Sequence, residues 1–353
     1  MAIDLQGGLR KWIAPGLIIS LLTVGGMFAY YRFQSDLDIQ SALTALDLRY
    51  LAVGLALHVA AQIAWAARMW VLARGTGWKL PFGVCVRAIK AGVFAAAVTP
   101  ARVGGDAMRF AIIRNVREED DRDGVATHLI LGDRALDLLF FVAMGIVGAA
   151  GLPAILDGDL VWVQSLAYVG IGIFALLFLL IVAAVIHPPG LKSVLRPIIG
   201  WIDRWARGER IRAVGSSAID HVAEGMRTLL KERFWLGAAA FFTFLTWLLE
   251  FAILWVLLLG FGHDVGFWPA FFAAVLLNII TSVPLTPGGS GVAEVAALAL
   301  FSQLDGSVTP AFVLVWRVIT YYYDLLIGGA VAIDSTRKML KSPRAEIEPS
   351  IEG

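Results

Sequence analysis

The residues in this sequence that could do chemistry are ionisable groups set inside apolar runs. Arg134 and Asp137 stand three apart, and Asp133 four before Asp137, in an otherwise apolar stretch from Ala126 to Ala150. That spacing puts them on one helix face, where an ion pair forms easily. Arg317, Tyr321 and Asp324 share a face in the same way, with Tyr321 placed to bridge by a hydrogen bond. Glu250 lies two-thirds along its apolar run with no local partner, so it finds one on another helix or stays protonated. Each such charge costs about 2.5–3.5 kcal/mol at the centre of a membrane helix. Either they pair and fix helix packing, or they serve something that passes between the helices.

Two further groups sit where helices must break. Thr99-Pro100-Ala101-Arg102-Val103-Gly104 and Thr286-Pro287-Gly288-Gly289-Ser290-Gly291 share the pattern T-P-x-x-x-G. Pro100, Gly104 and Gly105 at the first, and Pro287, Gly288, Gly289 and Gly291 at the second, let the chain turn back. An acid follows each tip, Asp106 and Glu294, and Arg102 stands in the first. Helix N-termini at such tips attract an anion, for example a lipid phosphate. If Asp106 and Glu294 cap those N-termini themselves, the pocket instead suits a cationic or neutral headgroup, or a proton.

The elements that position these groups follow from composition. Of 353 residues 59% are hydrophobic and 16% charged, with mean hydropathy +0.76. Soluble domains run about 45–50% apolar and about 25% charged, so a soluble enzyme, a disordered chain and a basic nucleic-acid binder are excluded. The expectation is an all-α integral membrane protein. Six segments have the roughly 20 apolar residues a crossing requires: Trp12–Tyr30, Tyr50–Leu72, Ala126–Ala150, Val161–Ile186, Phe234–Leu259 and Pro310–Ile333. Basic residues crowd the stretches 73–124 and 187–233 and the tail 334–353, which places both termini in the cytoplasm.

Two apolar stretches do not fit as crossings without spoiling that asymmetry. Residues 81–114 and 267–304 therefore read as re-entrant helical hairpins, the first entering from the cytoplasm and the second from outside. The halves 12–150 and 234–333 then form an inverted repeat, which places a binding site near the midplane where the broken helices meet. Between them, 187–233 reads as a cytoplasmic amphipathic linker, with Leu195, Ile198, Ile199 and Ile202 at helical spacing beside Trp201 and Trp205. The acidic run Glu118–Asp121 reads as a solvated connector.

Enzyme chemistry finds little support. Gly288-Gly289-Ser290-Gly291 fits a serine-nucleophile pattern, but a general base is required; no histidine follows His263, and His58 and His128 lie in other spans. Cys85 is the single cysteine. No nucleotide-binding motif, metal-ligand spacing or cofactor motif is present, and no catalytic residue is assigned.

The runs P-A-R-V-G-G-D-A-M-R at 100–109, D-R-A-L-D-L-L at 133–139, P-L-T-P-G-G-S-G-V-A-E at 284–294 and W-R-V-I-T-Y-Y-Y-D-L-L-I-G-G at 316–329 resemble the lysylphosphatidylglycerol synthase transmembrane-region family. This is the flippase-like domain at the front of the multiple peptide resistance factor. The resemblance runs from about Trp12 to Ile333. It implies a lipid translocator carrying a modified lipid (aminoacylated phospholipid, glycolipid or hopanoid type) between leaflets of a bacterial inner membrane, with the tips and the Arg/Asp spans lining the headgroup path. Ending at Gly353, the chain is not expected to carry the aminoacyl-transfer domain. The first tip reads Gly104-Gly105-Asp106 where many members have one glycine and then Glu.

Arg102, Asp106, Asp133, Arg134, Asp137, Glu294, Arg317, Tyr321 and Asp324 are thus the expected substrate-contacting residues. Membrane lipid is the expected partner, with a lipid-modifying enzyme or a second copy left open and nucleic acid excluded. The competing expectation is a scaffold that transports nothing and helps a lipid-modifying or glycosyl-transferring enzyme.

Overall fold

A computed structural model of the chain describes residues 43–44, 46–99, 102–116, 122–155, 161–187, 231–282, 289, 291–301 and 308–341, with isolated positions at 18, 25, 189–190 and 193–194. The expected first span, most of the linker 187–233, and the tail beyond 341 lie outside the described residues. Regular structure among the described residues is helical throughout. In chain order it runs α1 (Leu48–Gly75), α2 (Phe82–Val98), α3 (Val103–Arg114), α4 (Arg122–Ile155), α5 (Val161–Ile186), α6 (Arg233–Gly260), α7 (Phe267–Ser282), α8 (Val292–Leu300), α9 (Val308–Arg317) and α10 (Gly329–Lys341).

Three described helical segments are long and apolar enough to cross a membrane: Leu48–Gly75, Arg233–Gly260 and the run Thr309–Met339. At 1.5 Å per residue the 28 residues of α1 reach about 42 Å. Leu176 and Leu179 on α5, Phe234 on α6 and Leu326 in the last run are exposed. Large apolar side chains in that position suit lipid as their surroundings.

α1 and α6 pair most extensively and form the spine. Around it lie two apolar cores. One gathers Leu72, Ile89, Ile113 and Leu129 from α1 to α4. The other gathers Leu254, Phe271, Ile280 and Phe312 from α6 to α9, with Phe140 and Phe141 of α4.

α2 and α3 fold back on each other as an antiparallel pair, and glycine permits the approach. A Cβ at Gly104 would stand 2.7 Å from the Thr99 side chain and 2.8 Å from the Ala95 carbonyl. One at Gly105 would meet Ala96 at 2.9 Å. Thr99 closes the turn, its hydroxyl donating to Ala95 O at 2.6 Å and accepting from Gly104 N at 2.9 Å. α7 and α8 pack against each other as well. There Gly289 (φ 72°) and Gly291 (φ 88°) take positive φ, and a Cβ on Gly289 would meet Thr281 O at 3.2 Å.

The last crossing departs from the plain helix expected over Pro310–Ile333. Between α9 and α10 the chain makes two π-helical segments, Val318–Tyr322 and Asp324–Gly328. The end of the second segment packs closely on α2. A Cβ at Gly328 would meet Lys90 O at 2.6 Å, and one at Gly329 the Phe94 ring at 3.2 Å. Widened turns of this kind concentrate at functional sites.

Candidate functional site

Where the hairpin α2–α3 meets the π-helical segment, the structure forms a partly open cavity of about 100 Å³ lined by Arg102, Glu250, Asn278, Thr281, Arg317, Tyr321 and Asp324. Both halves of the chain contribute, Arg102 and α2 from one, α6, α7 and the last crossing from the other. Tyr321 fastens the wall by donating its hydroxyl to Ala97 O at 3.2 Å. That carbonyl belongs to the final turn of α2, where carbonyls have no partner within the helix.

Two arginines face this space. Arg317 is buried, its Nε donating to Glu294 Oε1 at 2.7 Å and its guanidinium lying 4.3 Å from the Tyr321 ring centroid. Its Nη2 is buried with no hydrogen-bond partner among the described residues. A buried guanidinium N–H left without an acceptor costs about 1–3 kcal/mol or more. Glu294 holds the second tip to this arginine. Its other oxygen accepts from Gly291 N at 2.6 Å, closing the first turn of α8.

Arg102 is the only non-glycine with positive φ among the described residues, at 57°. A side-chain-bearing residue in that region costs about 1–2 kcal/mol and survives where its surroundings impose it. Here the imposed conformation presents an exposed guanidinium to the cavity at the N-terminus of α3.

The cavity's carboxylates are Glu250 and Asp324, and a histidine joins them from behind. His58 Nδ1 lies 2.9 Å from Glu250 Oε2, and its Nε2 lies 3.2 Å from Asp324 Oδ1. Gln62, one turn along α1, donates its amide to Asp324 Oδ1 at 2.6 Å.

The expected residues Asp106, Asp133, Arg134 and Asp137 come together elsewhere. Arg68 of α1 binds Asp133 at 2.7 Å and Asp137 at 2.6 Å. Arg109 of α3 binds Asp133 at 2.7 Å and also pairs with Asp106. Arg134 grips Asp106 with two bonds of 2.8 and 2.9 Å. Trp65 and Trp247 donate their indole N–H to Asp133 and Asp137 at 3.0 and 2.8 Å. Three arginines against three aspartates make a neutral network. The expected Arg134–Asp137 pair is its loosest contact, at 3.6 Å.

Of the nine expected contact residues, Arg102, Arg317, Tyr321 and Asp324 line the cavity, Glu294 anchors Arg317, and four form the separate network. Gly104, Gly105, Gly289 and Gly291 occupy the turns, while Pro100, Pro287 and Gly288 lie outside the described residues. Sequence reasoning missed His58, Gln62, Arg68, Arg109 and Asn278. The signal for Arg68 and His58 was a polar side chain alone in an apolar run, the same signal that marked Glu250.

Comparison with known proteins covers most of the chain. The family described as the lysylphosphatidylglycerol synthase TM region matches residues 13–328, and the chain belongs to it. It is similar to a UPF0104 membrane protein of Archaeoglobus fulgidus, 25% identical across 93% of this chain and 97% of that one. A UPF0104 membrane protein of Methanothermobacter thermautotrophicus is 25% identical over 66% of this chain and 70% of its own length. A third relative, the glycosyltransferase AglD of Haloferax volcanii, is 24% identical over 92% of this chain, which spans 53% of AglD.

Proposed function

We propose that this member of the lysylphosphatidylglycerol synthase TM region family is a lipid translocator, and that a headgroup phosphate passes between Arg102 and Arg317. The observation that carries the reading is the buried Arg317 Nη2 without an acceptor, on a residue that lines the cavity together with a strained Arg102. A phosphodiester oxygen completes that guanidinium as water-sized neutral solutes cannot, because charge-assisted bonds are roughly twice as strong as neutral ones. Asn278 and Thr281 supply neutral polar groups for the rest of a headgroup.

On this reading the chain crosses a cytoplasmic membrane with six spans, and α2–α3 and α7–α8 are re-entrant hairpins of an inverted repeat. Both termini face the cytoplasm. The protein performs no covalent chemistry, its partner is membrane lipid, and the lipid is a phosphate-bearing modified lipid. The neutral Arg/Asp network holds the first hairpin against α1 and α4.

A second reading has one observation in its favour. The chain is similar over most of its length to about half of a protein named a glycosyltransferase, which suits a scaffold beside a glycosyl-transferring enzyme. Mass spectrometry of lipids co-purified in mild detergent, referenced to the bulk membrane, separates the two. The translocator enriches one phosphate-bearing lipid class in wild type and loses it in Arg317→Ala. A scaffold gives the bulk profile in both.

A further inference from the structure

The geometry points to His58, held between Glu250 and Asp324 behind the cavity wall, as the seat of a proton that is taken up when an anion enters the cavity. The inference rests on the proposed headgroup site and adds to it a coupling partner.

Both ring nitrogens of His58 lie on carboxylate oxygens, Nδ1 at 2.9 Å from Glu250 Oε2 and Nε2 at 3.2 Å from Asp324 Oδ1. A neutral imidazole donates from one nitrogen only, whereas the imidazolium donates from both. The third group at this vertex is the Gln62 amide nitrogen, 2.8 Å from His58 Nε2 and 2.6 Å from Asp324 Oδ1, while Gln62 Oε1 is buried with no partner among the described residues. The observed contacts are satisfied with His58 neutral, and one added proton rearranges them. With His58 neutral, Nδ1–H donates to Glu250, and Nε2 and Asp324 both accept from Gln62. With His58 protonated, Nε2–H donates to Asp324, and the Gln62 amide nitrogen, a donor 2.8 Å from Nε2, swings off the ring.

The route for that proton is short. His58 is buried, but Glu250 and Asp324 both line the cavity. A proton from cavity water joins an Asp324 oxygen and passes to His58 Nε2, where an N–H bond forms as the carboxyl O–H breaks. The groups facing the triad come from every neighbouring element. Gln62 lies on the same helix, Glu250 on α6, and Asp324 and Tyr323 in the run between α9 and α10, the Tyr323 ring centroid standing 5.4 Å from the imidazole. Lys90 of α2 donates to the Tyr323 hydroxyl at 3.1 Å. Arg102 and Arg317 share the cavity with both carboxylates.

An anion seated against Arg102 and Arg317 adds negative charge beside the triad and so favours the protonated form. By linkage the reverse holds, and a proton on His58 tightens the anion. A phosphodiester crossing together with one proton moves no net charge, so the step escapes the membrane potential and follows a pH gradient.

Two measurements test this. In weakly buffered detergent solution, a pH-indicating dye follows addition of dimethyl phosphate, a phosphodiester that does not itself titrate near neutrality. Wild type is expected to take up close to one proton per chain and His58→Gln none. In phosphatidylcholine vesicles carrying fluorescent phosphatidylglycerol, the probe is expected to accumulate in the leaflet on the alkaline side, toward about tenfold per pH unit at full coupling, in wild type but not in His58→Gln. Exchange with neither proton uptake nor gradient response in wild type overturns the inference and leaves the transport reading standing. Proton uptake without any lipid exchange overturns the transport reading and leaves the triad as a proton seat. Absence of uptake in wild type counts against the triad whether or not the variant folds.

Discussion

Arg317 and Glu294 meet at 2.7 Å inside the protein, and this one contact ties the second tip to the last crossing. Because Glu294 also accepts from Gly291 N, the carboxylate holds the turn and the arginine together. Glu294→Gln keeps the bond to the turn and removes the charge. Breaking a buried pair from one side costs about 3–5 kcal/mol. The variant should melt well below wild type in detergent, and dimethyl phosphate, supplying the missing negative charge, should recover part of the loss. No recovery would mean the anion does not reach Arg317.

Arg102 separates charge from conformation. Arg102→Gly removes the cost of φ 57°, about 1–2 kcal/mol, and should raise the melting temperature while weakening anion binding. Arg102→Lys keeps the charge and the strain and should retain most binding. Equal binding in wild type and Arg102→Gly, read by titration with dimethyl phosphate, would remove Arg102 from the site.

The Arg/Asp network should behave as structure. Asp133 is fully buried between Arg68 and Arg109, so Asp133→Asn leaves two buried guanidiniums short of a counter-charge. A loss of about 3–5 kcal/mol is expected, with anion affinity preserved in whatever folds. A variant that melts like wild type yet loses lipid exchange would place this cluster on the path.

Close packing of the first hairpin is tested by Gly104→Ala. The new methyl carbon would stand 2.8 Å from the Ala95 carbonyl, and backbone cannot swing aside as a flexible side chain can. Overpacking of this kind costs about 1–3 kcal/mol, and because the turn carries Arg102, anion affinity should fall with stability.

Much of this fold was legible in the sequence because apolar length and helix breakers are local. The stretch Val161–Ile186 is a helix with those bounds, and the stretch 81–114 breaks into Phe82–Val98 and Val103–Arg114. The partners of the charges were not legible, since they are set by which helices lie side by side. His58 and Glu250 are 192 residues apart, and Arg68 and Asp137 are 69 apart. Spacing within one helix therefore favoured the Arg134–Asp137 pair over the shorter cross-helix bonds each makes. The π-helical turns around Asp324 left no local mark in the sequence, and the close approach of Gly328 to Lys90 is a contact with another helix.

The most direct test of the central claim is lipid exchange by the purified chain in phosphatidylcholine vesicles. Fluorescent phosphatidylglycerol in the outer leaflet is bleached by dithionite, and wild type is run beside Arg102→Ala and Arg317→Ala. Losing one charged hydrogen bond to phosphate, about 1.5–3 kcal/mol, corresponds to roughly a tenfold to hundredfold slower exchange. The account predicts full accessibility of the probe with wild type and a fall of that size in each folded variant. Exchange at the wild-type rate in both variants would contradict it.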